Sequence, residues 1–197
     1  VYLREKQLLV AFGGNQPLGE KLPEDLIPQA AGEVARQLDG DLVLSALYST
    51  PCFPAGAGPD YVNAAALITL RRPVPADAVL QALHEVEARF GRQRTTRWAA
   101  RTLDIDLLAM GSAVLPDLAT QEAWRALPVS EQARRTPDRL ILPHPRLQDR
   151  GFVLIPLADV APDWRHPLLG LTVVEMVAAL DPQARAEVIR LNPAASA

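Results

Sequence analysis

The chain has 197 residues, 49% of them hydrophobic, a net charge of −3 and a single cysteine, Cys52. A chain of this length buries roughly 70% of its unfolded surface without needing a disulfide or structural metal. The lone cysteine rules out an internal disulfide framework and suits a reducing cytoplasm. The net acidity argues against a general nucleic-acid binder. No apolar run approaches the ~20 residues of a membrane span, and Val1 to Lys6 carries no signal-peptide pattern, the absent Met reading as a trimmed start. One domain with one hydrophobic core is expected over 1–197, carrying a surface insertion around 112–138.

Taken in chain order, Gln7 to Phe12 reads as a buried opening strand, with Gly13-Gly14-Asn15 as a turn signal. Pro23 suits the first turn of a helix that runs through Leu26, Ile27, Val34 and Leu38 and stops at Asp39-Gly40. Leu42 to Tyr48 is rich enough in β formers for a second strand. Thr50 to Pro59 is broken by Pro and Gly, and long ordered loops of this kind are often functional. Tyr61 to Leu70 resumes as a strand with Tyr61 and Asn63 on one face and Val62 on the other. Pro75 to Phe90 has helical spacing, with Val79, Leu83, Val86 and Phe90 on one stripe and Gly91 placed to end it. Thr102 to Met110 is the next strand. Leu115 to Asp138 is irregular and charged, with a short helix expected near Gln121 to Leu127. Pro143-His144-Pro145 marks a loop, Phe152 to Val160 is apolar and helical, and Thr172 to Leu180 is a last helix before a frayed Ala-rich tail. This order predicts an α+β domain with a mostly antiparallel sheet.

Asp104 and Asp106 carry the strongest chemical signal. On a strand, residues two apart share a face with Cα atoms roughly 6.8 Å apart. Leu103, Ile105 and Leu107 then enter the core while both aspartates face a cleft. Two carboxylates on one face repel unless a cation lies between them. Magnesium fits, because it takes one or two carboxylates and completes its shell with phosphates and water. Asp-x-Asp by itself reads equally well as a solvated strand face. The arginines shift the balance: Arg89, Arg92, Arg94, Arg97 and Arg101 crowd into one segment, and a local basic cluster in an acidic chain suits a small polyanion. No Walker-type phosphate loop and no dinucleotide-binding glycine fingerprint occurs, so bound ATP would be held by metal and arginines. His144, Tyr61 and Asn63 each have an ordinary structural reading beside the functional one, although Asn63 can donate and accept.

Tyr48-Ser-Thr-Pro51, Asp60-Tyr-Val-Asn63, Glu87 through Gly91-Arg-x-Arg94, Arg97-Trp-Ala-Ala-Arg-Thr-Leu-Asp-Ile-Asp106, and Pro143-His144 through Arg150-Gly-Phe152 occur in that order. This series resembles the 6-hydroxymethyl-7,8-dihydropterin pyrophosphokinases of folate biosynthesis over about residues 7 to 165. The resemblance implies a ferredoxin-like α/β sandwich, a mostly antiparallel sheet flanked by helices. It also implies transfer of the β,γ-pyrophosphoryl group of ATP to a pterin alcohol, releasing AMP, in a cytoplasmic monomer without nucleic-acid or membrane partners. By the same resemblance, Asp104 and Asp106 hold two Mg²⁺ ions, and Arg92 and Arg101 join them as catalytic residues on closing loops. Glu87, Arg94, Leu107, Arg139, His144 and Arg150 fall on the ATP side. Thr50, Pro51, Phe53, Tyr61, Asn63, Trp98 and Phe152 fall on the pterin side, with Tyr61 and Phe152 suited to stacking and Trp98 to a lid.

The chain departs from the commoner pattern at Gly14, at Cys52, at Ala99-Ala100 before Arg101, and at Pro145-Arg146 after His144. None of these changes removes a metal ligand. Two rival readings remain. A non-catalytic pterin- or nucleotide-binding protein would not require the Asp pair together with both loop arginines. A magnesium phosphohydrolase would have to admit the water that an aromatic pocket excludes.

Overall fold

A computed structural model describes residues 6–52, 56, 58–91 and 102–192. Its elements are β1 (Gln7–Gly14), α1 (Pro23–Gln37), β2 (Gly40–Leu44), β3 (Tyr48–Thr50), β4 (Tyr61–Leu70), α2 (Ala76–Arg89), β5 (Asp104–Met110), α3 (Leu118–Ala126), α4 (Val129–Arg134), α5 (Gly151–Val160), α6 (Val173–Ala179), α7 (Pro182–Ala186) and β6 (Ile189–Arg190). The sheet runs β5-β1-β4-β3-β6, with β2 also paired to β4. Every ladder is antiparallel. β1-α1-β2 and β4-α2-β5 are thus two interlocked split βαβ units, the ferredoxin-like arrangement. The expected α+β sandwich is what forms.

Strand alternation decides the layers. Leu8, Val10 and Phe12 of β1, with Val62, Ala64, Ala66 and Ile68 of β4, pack against Ile27, Ala31 and Val34 of α1 and Val79, Leu83 and Val86 of α2. The intervening Leu9, Ala11 and Ala65 pack on the other face against Val153, Leu154 and Leu157 of α5 and Met176 of α6. The single expected core is therefore two apolar layers, one on each face of one sheet. A period-2 pattern with small residues on its second face does not announce that a helix will cover that face as well.

Helix ends follow local chemistry. Pro23 supplies the first turn of α1, and Asp39 takes a left-handed φ of 54° where the helix stops. Gly91, at φ 82°, ends the α2 segment in a conformation that β-branched residues avoid. Other expectations shift. The Gly13-Gly14 turn is still strand, because β4 pairs through Gly14↔Val62. Leu42 to Tyr48 is two strands. Between them the Ser45 hydroxyl accepts from the Ala65 N–H at 2.9 Å, and the Ala46 N–H donates to Asp159 of α5 at 3.1 Å, so side chains interrupt the ladder. The charged stretch before Asp138 contains two helices, α3 capped by Asp117, whose side chain accepts from the Thr120 N–H. Gln121 of α3 is fully buried and its amide donates to the Pro143 carbonyl, which ties this segment to the His144 loop. The chain before the Ala-rich tail forms α7 and β6. No described helix is long and apolar enough to cross a membrane.

His166 gives the fold a pH dependence. Its ring is fully buried, and its Nδ1 accepts from the Leu168 and Leu169 amides, each at 3.2 Å. Burial, reinforced by the positive charge of Arg125, pushes its pKa from 6.5 down to about 4. Between those values the unfolded chain binds a proton that the folded chain refuses. The stability contribution is complete above pH 6.5 and is lost as pH falls toward 4. Thermal melts should show Tm falling across that window, with a shallower slope in His166→Asn; parallel slopes would assign the loss to other groups.

Candidate active site

β5 presents the two aspartates as its alternation requires. Leu103, Ile105 and Leu107 are buried in the α1/α2 layer, whereas Asp104 and Asp106 are partly exposed on the α5 face. The outer edge of β5 is held at this point by Glu87 of α2. That residue is 2% exposed, and its carboxylate accepts the Ile105 N–H at 2.8 Å. Glu87 therefore sits behind the aspartate strand and fixes the backbone between the two carboxylates. After Leu107 the register with β1 shifts, so Leu108 and Ala109 both join the α5 layer. The Leu108 carbonyl accepts the His144 N–H at 2.8 Å, which brings the Pro143–Pro145 loop beside the strand.

Register also joins the aspartates to Asn63. Gly13 is the Cα partner of both Asp104 on one side and Asn63 on the other. The row Asp104–Gly13–Asn63 crosses three adjacent strands, so its outer Cα atoms are ~10 Å apart. Gly13 leaves the floor between them without a side chain. A Cβ there would stand 3.3 Å from Asn63 Oδ1. Asn63 is buried, and its Nδ2 donates to Thr50 Oγ1 at 2.9 Å. Its carbonyl oxygen faces the glycine. Tyr61 lies one step further along this face, paired in register with Thr50.

The opposite wall is the start of α5. The Arg150 guanidinium stands 3.7 Å from an Asp106 carboxylate oxygen, too long for a hydrogen bond but close enough to neutralise it. It also lies 5.6 Å from the Phe152 ring centroid, in cation–π contact. Phe152 is 40% exposed, an aromatic face left open beside the carboxylates. His144 is partly buried, and its Nδ1 accepts from the Arg146 N–H at 3.1 Å. Burial first, then the charges of Arg150 and Arg146, push its pKa from 6.5 down to about 3. The imidazole is thus neutral near pH 7, with its proton on Nε2.

The sequence-derived site residues are brought together unevenly. Asp104, Asp106, Asn63, Thr50, Tyr61, Arg150, Phe152 and the His144 loop come together as one site on the α5 side of the sheet. Glu87 lies behind it as a brace. The Leu107 side chain is in the core on the far face, 4% exposed, so it lines no part of the cleft. Alternation required this, because Leu107 has the parity of Ile105. Arg139 is exposed and pairs with Asp138 at 3.6 Å, and no described contact joins it to the aspartates. Pro51 is exposed beside Thr50. Phe53, Arg92, Arg94, Trp98 and Arg101 lie outside the described residues. Two contributors escaped the sequence reading. Gly13 was read as a turn, although a glycine inside a strand pattern also signals a close approach. Arg146 adds a cation whose buried Nε has no hydrogen-bond partner among the described residues.

The family model described as 7,8-dihydro-6-hydroxymethylpterin-pyrophosphokinase matches residues 9–162. The chain belongs to this family. Among curated pyrophosphokinase relatives, the 2-amino-4-hydroxy-6-hydroxymethyldihydropteridine pyrophosphokinase of Pseudomonas aeruginosa is 38% identical over 164 residues, covering 82% of this chain and 85% of that protein. The protein of the same name from Synechocystis is 39% identical over 123 residues, covering 62% of this chain; the match spans only 52% of that relative's length. A crystal structure of an HPPK-DHPS in complex with substrates superposes with a TM-score of 0.61 at 11% identity, over 90% of this chain and 45% of that one. The wild-type HPPK-DHPS of Plasmodium falciparum gives 0.57 at 13% identity, over 89% and 44%. These distant structures share the pyrophosphokinase fold, and this chain spans under half of their length.

Proposed function

We propose that this pyrophosphokinase-family chain transfers the β,γ-pyrophosphoryl group of ATP to the hydroxymethyl group of 6-hydroxymethyl-7,8-dihydropterin and releases AMP, within folate biosynthesis. The observation that carries the reading is the Asp104–Gly13–Asn63 row. It sets the Asp104 carboxylate, with Asp106 two residues along the same strand face, and a polar amide about 10 Å apart on one bare floor. The donor set fits magnesium: two half-exposed carboxylates of equal parity, with room for phosphate oxygens. Asp104 and Asp106 would hold the ions, two being expected. When bound, magnesium neutralises the triphosphate and polarises the reacting phosphoryl group.

The chain's own residues supply the rest. Arg150, not locked by a hydrogen bond to Asp106, is free to turn toward a phosphate oxygen, and the Arg146 Nε–H is a further donor. Arg92 and Arg101 are read as the cations that complete the phosphate cage, with Arg94 and the backbone at Leu107 on the nucleotide side. His144, held neutral, offers an Nε2–H donor without adding charge. On the pterin side, the ring is read as lying on Phe152 and against Tyr61, with Trp98, Phe53 and Pro51 around it. Asn63 Oδ1 accepts from its amide edge, while Thr50 keeps the other half of Asn63 satisfied. The alcohol oxygen attacks the β-phosphorus and gives up its proton to solvent, the bond to the α,β-bridging oxygen breaks, and AMP departs. Such transfer depends on positioning and charge stabilisation more than on covalent chemistry from the protein. Residues 1–197 are read as one such domain, monomeric and cytoplasmic, with 112–138 as an insertion docked through Gln121.

The test supplies ATP, Mg²⁺ and the pterin alcohol to the purified protein and follows nucleotide products. AMP should accumulate in step with pterin diphosphate. ADP or inorganic phosphate as the main product points to the hydrolase reading. Pterin binding without turnover points to a binding protein.

A further inference from the structure

The family match ends at residue 162, yet a short segment well beyond it touches both walls of the cleft. Asp181 accepts from the Gln183 and Ala184 N–H groups and starts α7. The first contact is at Gly151, the residue between Arg150 and Phe152. A Cβ on Gly151 would lie 3.0 Å from the Ala184 carbonyl oxygen and 3.5 Å from Val188 Cγ2. With no side chain at Gly151, α7 rests close against the first turn of α5, and a Cβ there would require it to give by a few tenths of an ångström. The second contact is at β3. β6 pairs with it through Tyr48↔Arg190 and Ser49↔Ile189, and the Leu191 N–H donates to the Leu47 carbonyl at 2.8 Å. The strand that carries Thr50 therefore has its outer neighbour from this same segment.

Little of the segment is itself buried. α7 has no buried residue, and Ile189 is 62% exposed. Hydrophobic stabilisation scales with the apolar area removed from water, so, Leu191 against the α1/α2 core apart, this segment adds little to the core. What it does is join two elements of the site, the start of α5 and the outer edge of β3. Asp159 links the same two elements at the far end of α5, accepting from the Tyr48 hydroxyl at 3.0 Å and the Ala46 N–H at 3.1 Å. Helix α5 is thus tied to β3 and its edge from both ends.

We infer that Asp181–Leu191 is a brace that sets the gap between the Phe152 and Thr50 walls, with Gly151 as its positioning residue for pterin binding. This rests on the reading of Phe152 and Thr50 as pterin contacts. In the purified protein, Gly151→Ala pushes α7 back from α5 by a few tenths of an ångström, and Leu191→Pro removes the donor to Leu47. Each should weaken pterin binding about tenfold, read as Kd by pterin fluorescence titration, since sub-ångström misplacement costs this much at a preorganised site. Tm should fall by no more than a few degrees. Phe152→Ala is the reference and should weaken pterin binding at least as much. A normal pterin Kd in both brace variants beside a raised one in Phe152→Ala overturns the brace alone. An unchanged Kd in Phe152→Ala overturns the pocket reading, and the brace with it. Should Gly151→Ala fail to fold, Leu191→Pro decides: a wild-type Kd there rejects the proposal.

Discussion

Asp106→Ala and Asp104→Ala should each lower kcat by at least about a thousandfold while leaving the protein folded. The reason is the double duty of this face. Each carboxylate is a hard-oxygen donor at the point where the phosphate chain must be neutralised, and no third His, Cys, Asp or Glu among the described residues clusters with them to take over. Stability responds differently. Asp106 is 42% exposed and its partner Arg150 lies at 3.7 Å, so the pair is worth at most about 1 kcal/mol. Removing one of two like charges on a strand face offsets part of that loss. Tm should therefore stay within about 4 °C of wild type. Turnover against magnesium concentration is the measurement, with thermal melts alongside. Near-normal rates at saturating magnesium would remove the aspartates from the mechanism.

Glu87→Ala should damage both stability and rate, and Glu87→Gln should spare most of both. The alanine leaves the Ile105 N–H without its acceptor in a buried place and opens a cavity under β5. Together these cost about 2–4 kcal/mol. Because Ile105 lies between the aspartates, the same change loosens their spacing, and kcat should drop at least about tenfold. Glutamine keeps an oxygen for the 2.8 Å bond and should stay within about 1 kcal/mol of wild type. Urea melts and steady-state rates on the two variants separate the outcomes. If glutamine proves as harmful as alanine, the charge of Glu87 matters more than its bond to Ile105, and its role would lie toward the ligand.

Much of this was legible because alternation and helical spacing are local. The parity of Leu103, Asp104, Ile105 and Asp106 predicts which side chains meet the core and which meet the cleft, and β5 obeys it. The stripe Val79, Leu83, Val86 predicts α2, and Pro23 and Asp39 bound α1, because caps and breakers act within a turn of their own position. Failures came where a distant segment supplied the deciding contact. Gly13-Gly14 looks like a turn until β4 pairs beyond it. Leu42 to Tyr48 looks continuous until Asp159, from α5, takes over the Ala46 N–H. The second face of the sheet, with Ala11 and Ala65, looks too sparse for a core until α5 lies on it.

By itself the sequence determined the strand and helix pattern, the shared face of Asp104 and Asp106, and the ordered motifs that mark the pyrophosphokinase family. These depend on residue type and spacing along the chain, which sequence records directly. Only the tertiary structure decided that Gly13 separates Asp104 from Asn63, that Glu87 supports β5 from behind, and that Arg150 meets Asp106. The docking of α7 on Gly151 belongs with these. Each depends on register or on packing between segments far apart in the chain, where one residue of slip would send the side chains to the opposite face.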